Sequence, residues 1–198
     1  KYKWSFVGTM KNDRDRMVKK LKKLEPSFLH ITENFFSEDH LGPVEYKKII
    51  KDSIFVPCPR GYSNFESFRI LESLENYSIP IFKRELFFDH LKPLYENHVF
   101  LTSYTWRGVS KKIKHLLKDK HSLDDYFNDL MNWYEEYNEI LSNKVYDFLE
   151  NDSNAMKINK NNKFEIYFFE CSQLSFKFQN LIFRFILKVK KILLKNLN

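Results

Sequence analysis

Over the first hundred residues, short unbroken apolar runs alternate with stretches whose apolar positions recur every three or four residues. The runs cover residues 4–8, 28–31, 53–56, 79–82 and 99–101, each too short for a helix and bounded by polar residues, glycine or proline. They read as strands. Between them lie amphipathic patterns. Residues 13–24 place Met17, Leu21 and Leu24 on one face and lysines on the other, with Asn12 or Asp13 as a cap and Pro26 at the exit. Residues 44–52 turn Tyr46, Ile49 and Ile50 inward, and residues 66–76 form a further helix. This rhythm predicts βαβ units and an α/β fold, a Rossmann-like parallel sheet flanked by helices. Strands buried on both faces account for the unbroken apolar runs.

Past residue 101 the pattern becomes helical. Helices are expected over 109–117 and 122–150. The second carries a stripe of Tyr126, Leu130, Trp133, Tyr134, Tyr137, Leu141, Val145 and Phe148. A stripe of this kind packs a core far more often than it stacks on bases. The expected organisation is a Rossmann-like domain over 1–150, a linker rich in Asn, Lys and Ser over 151–163, and a basic amphipathic helical tail over 164–198. No internal repeat is visible.

The segment 55–82 is the most informative. An apolar strand runs into a polar turn at Gly61, a helix opens near Asn64, and a second strand ends in Ile79, Pro80 and Ile81. Such a turn gathers backbone N–H groups and a positive helix end at one spot, which suits phosphate. Gly61 lets the backbone turn and a ligand approach. Ser67 can bond diphosphate oxygens. Arg69, in the first turn, can neutralise diphosphate charge by a forked contact, and Arg60 is a second cation at the turn. Glu72, one turn on, can accept both hydroxyls of a ribose. Each has a plainer reading: Ser67 caps, Arg69 and Glu72 pair on the surface, and Arg60 is solvated. Singly, those prevail. Together, at the carboxyl end of a strand where open α/β sheets bind ligands, the site reading is stronger.

The net charge of +7 suits an anionic partner. Lys, Asn, Ile and Phe are abundant throughout, however, and Ala155 is the only alanine, so the lysines read as general surface and nucleic acid is not an expected partner. Cys58 and Cys171 make neither a disulfide framework nor a metal site and read as packed thiols. The chain begins at Lys1 with strand-like sequence almost at once, as expected of a piece of a longer protein.

Pro59-Arg-Gly61, Glu66-Ser-Phe-Arg-Ile-Leu-Glu72 and Ile79-Pro-Ile81 together resemble the donor-nucleotide segment of exostosin-like glycosyltransferases. Two flanks are similar to that family as well: Trp4 to Thr9 followed by Arg14 and Arg16, and Leu130 to Tyr137. The resemblance spans residues 1–150. It implies the C-terminal, nucleotide-sugar-binding half of a GT-B enzyme whose N-terminal half lies elsewhere in the same protein. Ser67, Arg69 and Glu72 take the places of the family's helix Ser, Arg and Glu. The implied donor is a UDP-sugar, used as a substrate, with no tightly bound cofactor, and the implied acceptor is a glycan or glycoconjugate. Many retaining GT-B enzymes carry two glutamates eight positions apart here. Counting back from Glu72 gives Asn64, so the resemblance points to inversion. A non-catalytic module that binds a nucleotide-sugar or a polyanionic glycan is the alternative.

The catalytic base is not identified. His30, Glu33 and His40 flank the loop after the second strand, read best as ordinary loop residues, and do not have the spacing of a metal site. Trp106 and Arg107 follow the fifth strand and either shape a sugar pocket or lie on a surface loop. In the tail, Phe178, Leu181, Ile182, Phe185, Ile186, Val189, Ile192 and Leu193 form an apolar stripe broken by lysines and Arg184. It falls short of the ~20 apolar residues of a membrane span. It is expected to pack on the missing half or, alternatively, to lie on a membrane surface.

Overall fold

The computed structural model describes residues 1–33, 40–61, 67–84, 91 and 95–156, with residues 148–156 described by their backbone alone. In chain order the elements are β1 (Tyr2–Thr9), α1 (Arg14–Leu21), β2 (Ser27–Thr32), α2 (Pro43–Lys51), β3 (Ser53–Pro57), α3 (Arg69–Glu75), β4 (Ile79–Lys83), β5 (Leu101–Ser103), α4 (Trp106–Leu116) and α5 (Lys120–Met156). The strands form one parallel sheet in the order β2-β1-β3-β4-β5. The chain is therefore an α/β protein with a parallel sheet flanked by helices, as the alternation of runs and stripes predicts.

The order fixes where the helices go. The β1-to-β2 connection moves one way along the sheet, and the later connections to β3 and β4 move the other way. With right-handed crossovers, α1 lies on one face, and α2 and α3 on the opposite one. Packing follows this division: α1 meets α4, and α2 meets α3. Trp4, Phe6, Phe55, Val56, Ile79 and Ile81 bury the centre of the sheet. Its serines are paired rather than stranded. Ser53 Oγ donates to Ile49 O at 2.6 Å and lies 2.8 Å from Ser5 Oγ, and Ser78 Oγ reaches Ser53 O at 2.8 Å.

The first half of α5 closes the core beside β5. Leu130 is fully buried. The rings of Phe100 and Trp133 meet edge-on at 4.9 Å, and Trp133 stacks on Tyr137 at 5.4 Å. Trp133 Nε1 donates to Glu96 O at 3.1 Å, and Tyr126 Oη to Val99 O at 2.8 Å. Over Tyr126, Leu130, Trp133, Tyr134 and Tyr137 the stripe is thus core packing.

Several boundaries differ from expectation. Helix α1 ends at Leu21, although Leu24 remains buried. Strand β5 begins at Leu101, because its register is set by pairing Leu101 with Ile81, and it runs on through the polar Thr102 and Ser103. Helix α4 begins at Trp106, not at residue 109. Helix α5 continues through Met156, across the first residues of the expected linker. The chain divides into two compact units, Lys1–Glu139 and Ile140–Asn198. The tail from residue 157 onward, Cys171 included, lies outside the described residues.

Candidate functional site

In this strand order the connections diverge between β1 and β3. The carboxyl ends of those two strands flank a topological switch point, where open α/β sheets bind their ligands. Two arginines converge there. Arg69, the first residue of α3, sends its guanidinium across β1, where Nη2 donates to Val7 O. Arg14, the first residue of α1, turns back over the end of the same strand. Its Nη1 donates to Thr9 O at 2.8 Å and Oγ1 at 3.3 Å, and its Nη2 to Arg60 O at 3.3 Å. Asn12 Nδ2 adds a bond of 3.4 Å to Gly61 O. The loops after β1 and β3 are thereby tied to each other.

Both guanidinium groups share the ring of buried Phe6, at 4.8 Å for Arg69 and 5.7 Å for Arg14. A ring face attracts cations, which helps to hold two like charges close to each other. Burial and the Arg69 charge push Arg14 below the ordinary guanidinium range, while Asp13 acts the other way. Among the described residues, neither arginine has a carboxylate within ion-pair distance. Each keeps a buried Nε without a hydrogen-bond partner. Arg14 is buried and Arg69 half-buried; charge held out of water without an ion-pair partner is costly, and an anion at the switch point would lower that cost.

Glu72, one turn into α3, is half-buried. Its Oε2 accepts a 2.7 Å hydrogen bond from Tyr46 Oη on α2. Burial first, and then the Glu72 contact, raise the Tyr46 phenol well above its usual range, against the Arg69 charge. Cys58, just past β3, is buried, and its thiol is pushed up to about 12 by that burial. The packed reading of Cys58 holds.

The remaining expected site residues are less central. Ser67 precedes α3, and its Oγ accepts a 3.4 Å bond from the Arg69 N–H. Helix α3 begins at Arg69, so the expected opening near Asn64 is corrected as far as residues 67–68 show; residues 62–66 lie outside the described residues. Arg60 is exposed and contributes its carbonyl to Arg14. Gly61 contributes its carbonyl to Asn12. His30 lies within edge strand β2, opposite Val7, and not in a loop. Glu33 and His40 are exposed.

Trp106 is not on a surface loop. It is buried at the start of α4, and its Nε1 donates to Asp13 Oδ2 at 2.9 Å. Lys83 meets the same oxygen at 2.9 Å. Asp13 therefore makes no side-chain cap on α1 and ties the carboxyl ends of β1 and β4 to α4. Asp13 and Asp15 have an Asp-x-Asp spacing, but residues two apart on a helix do not face each other. Among the described residues no three His, Cys, Asp or Glu side chains gather into a metal site.

Arg14, Gly8 and Tyr46 were not among the expected donor-site residues, although Gly8 and Arg14 lie in the flank that resembles the exostosin-like family. A signal existed for two of them. Arg14 is in helical register with buried Met17 and Leu21, so a cation occupies the buried face of α1. Tyr46 shares the inward face of α2 with Ile49 and Ile50 and carries a polar tip there.

The chain matches no family model and no curated protein. Fold and site together define an α/β domain whose switch point brings together two arginines and a braced carboxylate.

Proposed function

We propose that the chain is the nucleotide-sugar-binding half of a GT-B glycosyltransferase of exostosin-like type. It binds a UDP-sugar and transfers the sugar, with inversion, to a glycan or glycoconjugate. The observation that carries this reading is the pair Arg14 and Arg69 at the β1/β3 switch point, without a carboxylate partner among the described residues. A diphosphate is the anion that two such cations suit, by forked, charge-assisted bonds. Glu72, on the same helix as Arg69, supplies an acceptor for ribose hydroxyls. The resemblance of residues 59–81 to the exostosin donor segment supports the same assignment for Ser67, Arg69 and Glu72.

In an inverting displacement, a base removes the acceptor proton, the acceptor oxygen bonds to the anomeric carbon, and UDP departs with the electron pair. The two arginines offset the charge that builds on the departing diphosphate. The base and the acceptor site belong to the other half of the protein in this account. Release of UDP from a panel of UDP-sugars, with and without oligosaccharide acceptors, tests the reading in the longer protein. Acceptor-dependent release is expected. Tight UDP binding with no turnover of any donor would favour the non-catalytic module instead.

A further inference from the structure

We infer that Tyr46 is a positioning residue that orients the Glu72 carboxylate for the nucleotide ribose, and so sets a preference for ribo- over deoxyribonucleotides. The inference rests on the proposed donor site. Tyr46 belongs to α2, outside the segment that suggests the site, and reaches Glu72 from the neighbouring helix.

A glutamate in the first turn of a helix has several rotamers of similar energy, and a free carboxylate there samples them all. The 2.7 Å bond from Tyr46 Oη fixes Oε2 and with it the plane of the carboxylate. Among the described residues Oε1 has no hydrogen-bond partner, which leaves it and the second lone pair of Oε2 for a vicinal diol. Burial keeps the phenol protonated through the physiological range, so the brace is present whenever a nucleotide would bind. The helix beneath is held as well: Asn76 Nδ2 donates to Glu72 O at 2.7 Å. Pre-orientation of this kind lowers the ordering cost of binding. It acts only through the ribose hydroxyls, so a nucleotide without them gains nothing from it.

The test compares UDP with 2′,3′-dideoxyuridine diphosphate in calorimetric titrations of the full chain. In Tyr46→Phe the UDP affinity is expected to fall about three- to tenfold, with the dideoxy ligand changing less than twofold. Glu72→Gln is expected to show the same selective loss, and Tyr46→Phe/Glu72→Gln to be no weaker than Glu72→Gln alone. Equal losses for both ligands, or strictly additive losses in the double variant, would mean a merely structural Tyr46 and overturn the inference. An unchanged UDP affinity in Tyr46→Phe would overturn it too. If the unaltered chain binds no UDP, the donor-site reading itself falls and this inference falls with it, a result that is distinct from the other three. Melting temperatures of the variants separate loss of fold from loss of affinity.

Discussion

A Cβ placed on Gly8 would lie 2.7 Å from Nη2 of Arg69. The strand end at Gly8 and the arginine that opens α3 are thus fitted to each other, far apart in sequence. Gly8 also has a φ of +142°, a conformation that side-chain-bearing residues rarely adopt. One residue therefore answers two demands: an unusual backbone and room for a guanidinium.

Gly8→Ala is expected to act on both. The backbone strain costs about 1–3 kcal/mol. The methyl group displaces Arg69 from the Val7 carbonyl, because the tip of a long side chain yields more easily than the backbone does. Denaturant unfolding should show the loss of stability, and titration a weakened affinity for UDP. A variant with full affinity and full stability would contradict the fitted arrangement.

Tyr77 offers a gain instead of a loss. It follows the C-terminus of α3 with a φ of +58° and is largely exposed. Ser78 N–H bonds to Ser73 O at 2.9 Å, and Tyr77 N–H to Leu74 O at 3.1 Å. These are the two bonds of a Schellman motif, in which glycine is the preferred residue at this position. Tyr77→Gly is expected to stabilise the chain by roughly 0.5–1 kcal/mol, since a left-handed conformation costs a non-glycine residue about 1–2 kcal/mol and added chain entropy offsets part of the gain. Thermal unfolding measures it; a lowered melting temperature would sink the idea.

Cys58 links stability to pH. Its thiol is pushed up to about 12 from an ordinary value of 9.0, by burial above all. Between those values the folded chain holds a proton that the unfolded chain has lost, so stability falls as pH rises through that window. The slope is on the order of 1 kcal/mol per pH unit. With Cys171→Ser as the background, adding Cys58→Ala removes this slope. The stability difference between the two chains should therefore shrink from pH 8 to pH 11. A constant difference would mean that Cys58 titrates normally in the fold.

The sheet was largely legible in the sequence, and its site only in part. Strands β3 and β4 stand out because burial on both faces leaves them unbroken apolar runs. The start of α4 differs from expectation, because the helix runs back through Gly108 to Trp106. In the structure a Cβ at Gly108 would lie 2.1 Å from Ser103 Oγ, so the glycine serves a close approach inside a helix that Thr105 caps. Asp13 reads as a cap from local pattern, but its partners are Lys83 and Trp106, far along the chain. Tyr46 reads as core from its spacing; nothing local reveals that its hydroxyl meets Glu72. Local periodicity encodes which face is buried. It does not encode which polar tips meet across helices that the crossovers bring to one end of a sheet. The phosphate-binding expectation for Arg69 came from neighbours in sequence, whereas Arg14, named only in the flanking resemblance, reaches the same strand end through the fold.

The central claim is that Arg69, with Arg14 beside it, forms a diphosphate site. Calorimetric titration of UDP into the full chain, into Arg69→Ala and into Arg14→Ala tests it most directly. The account predicts binding by the unaltered chain, weakened tenfold or more, about 1.4 kcal/mol, in each variant. Absence of UDP binding, or affinity indifferent to both substitutions, would contradict it.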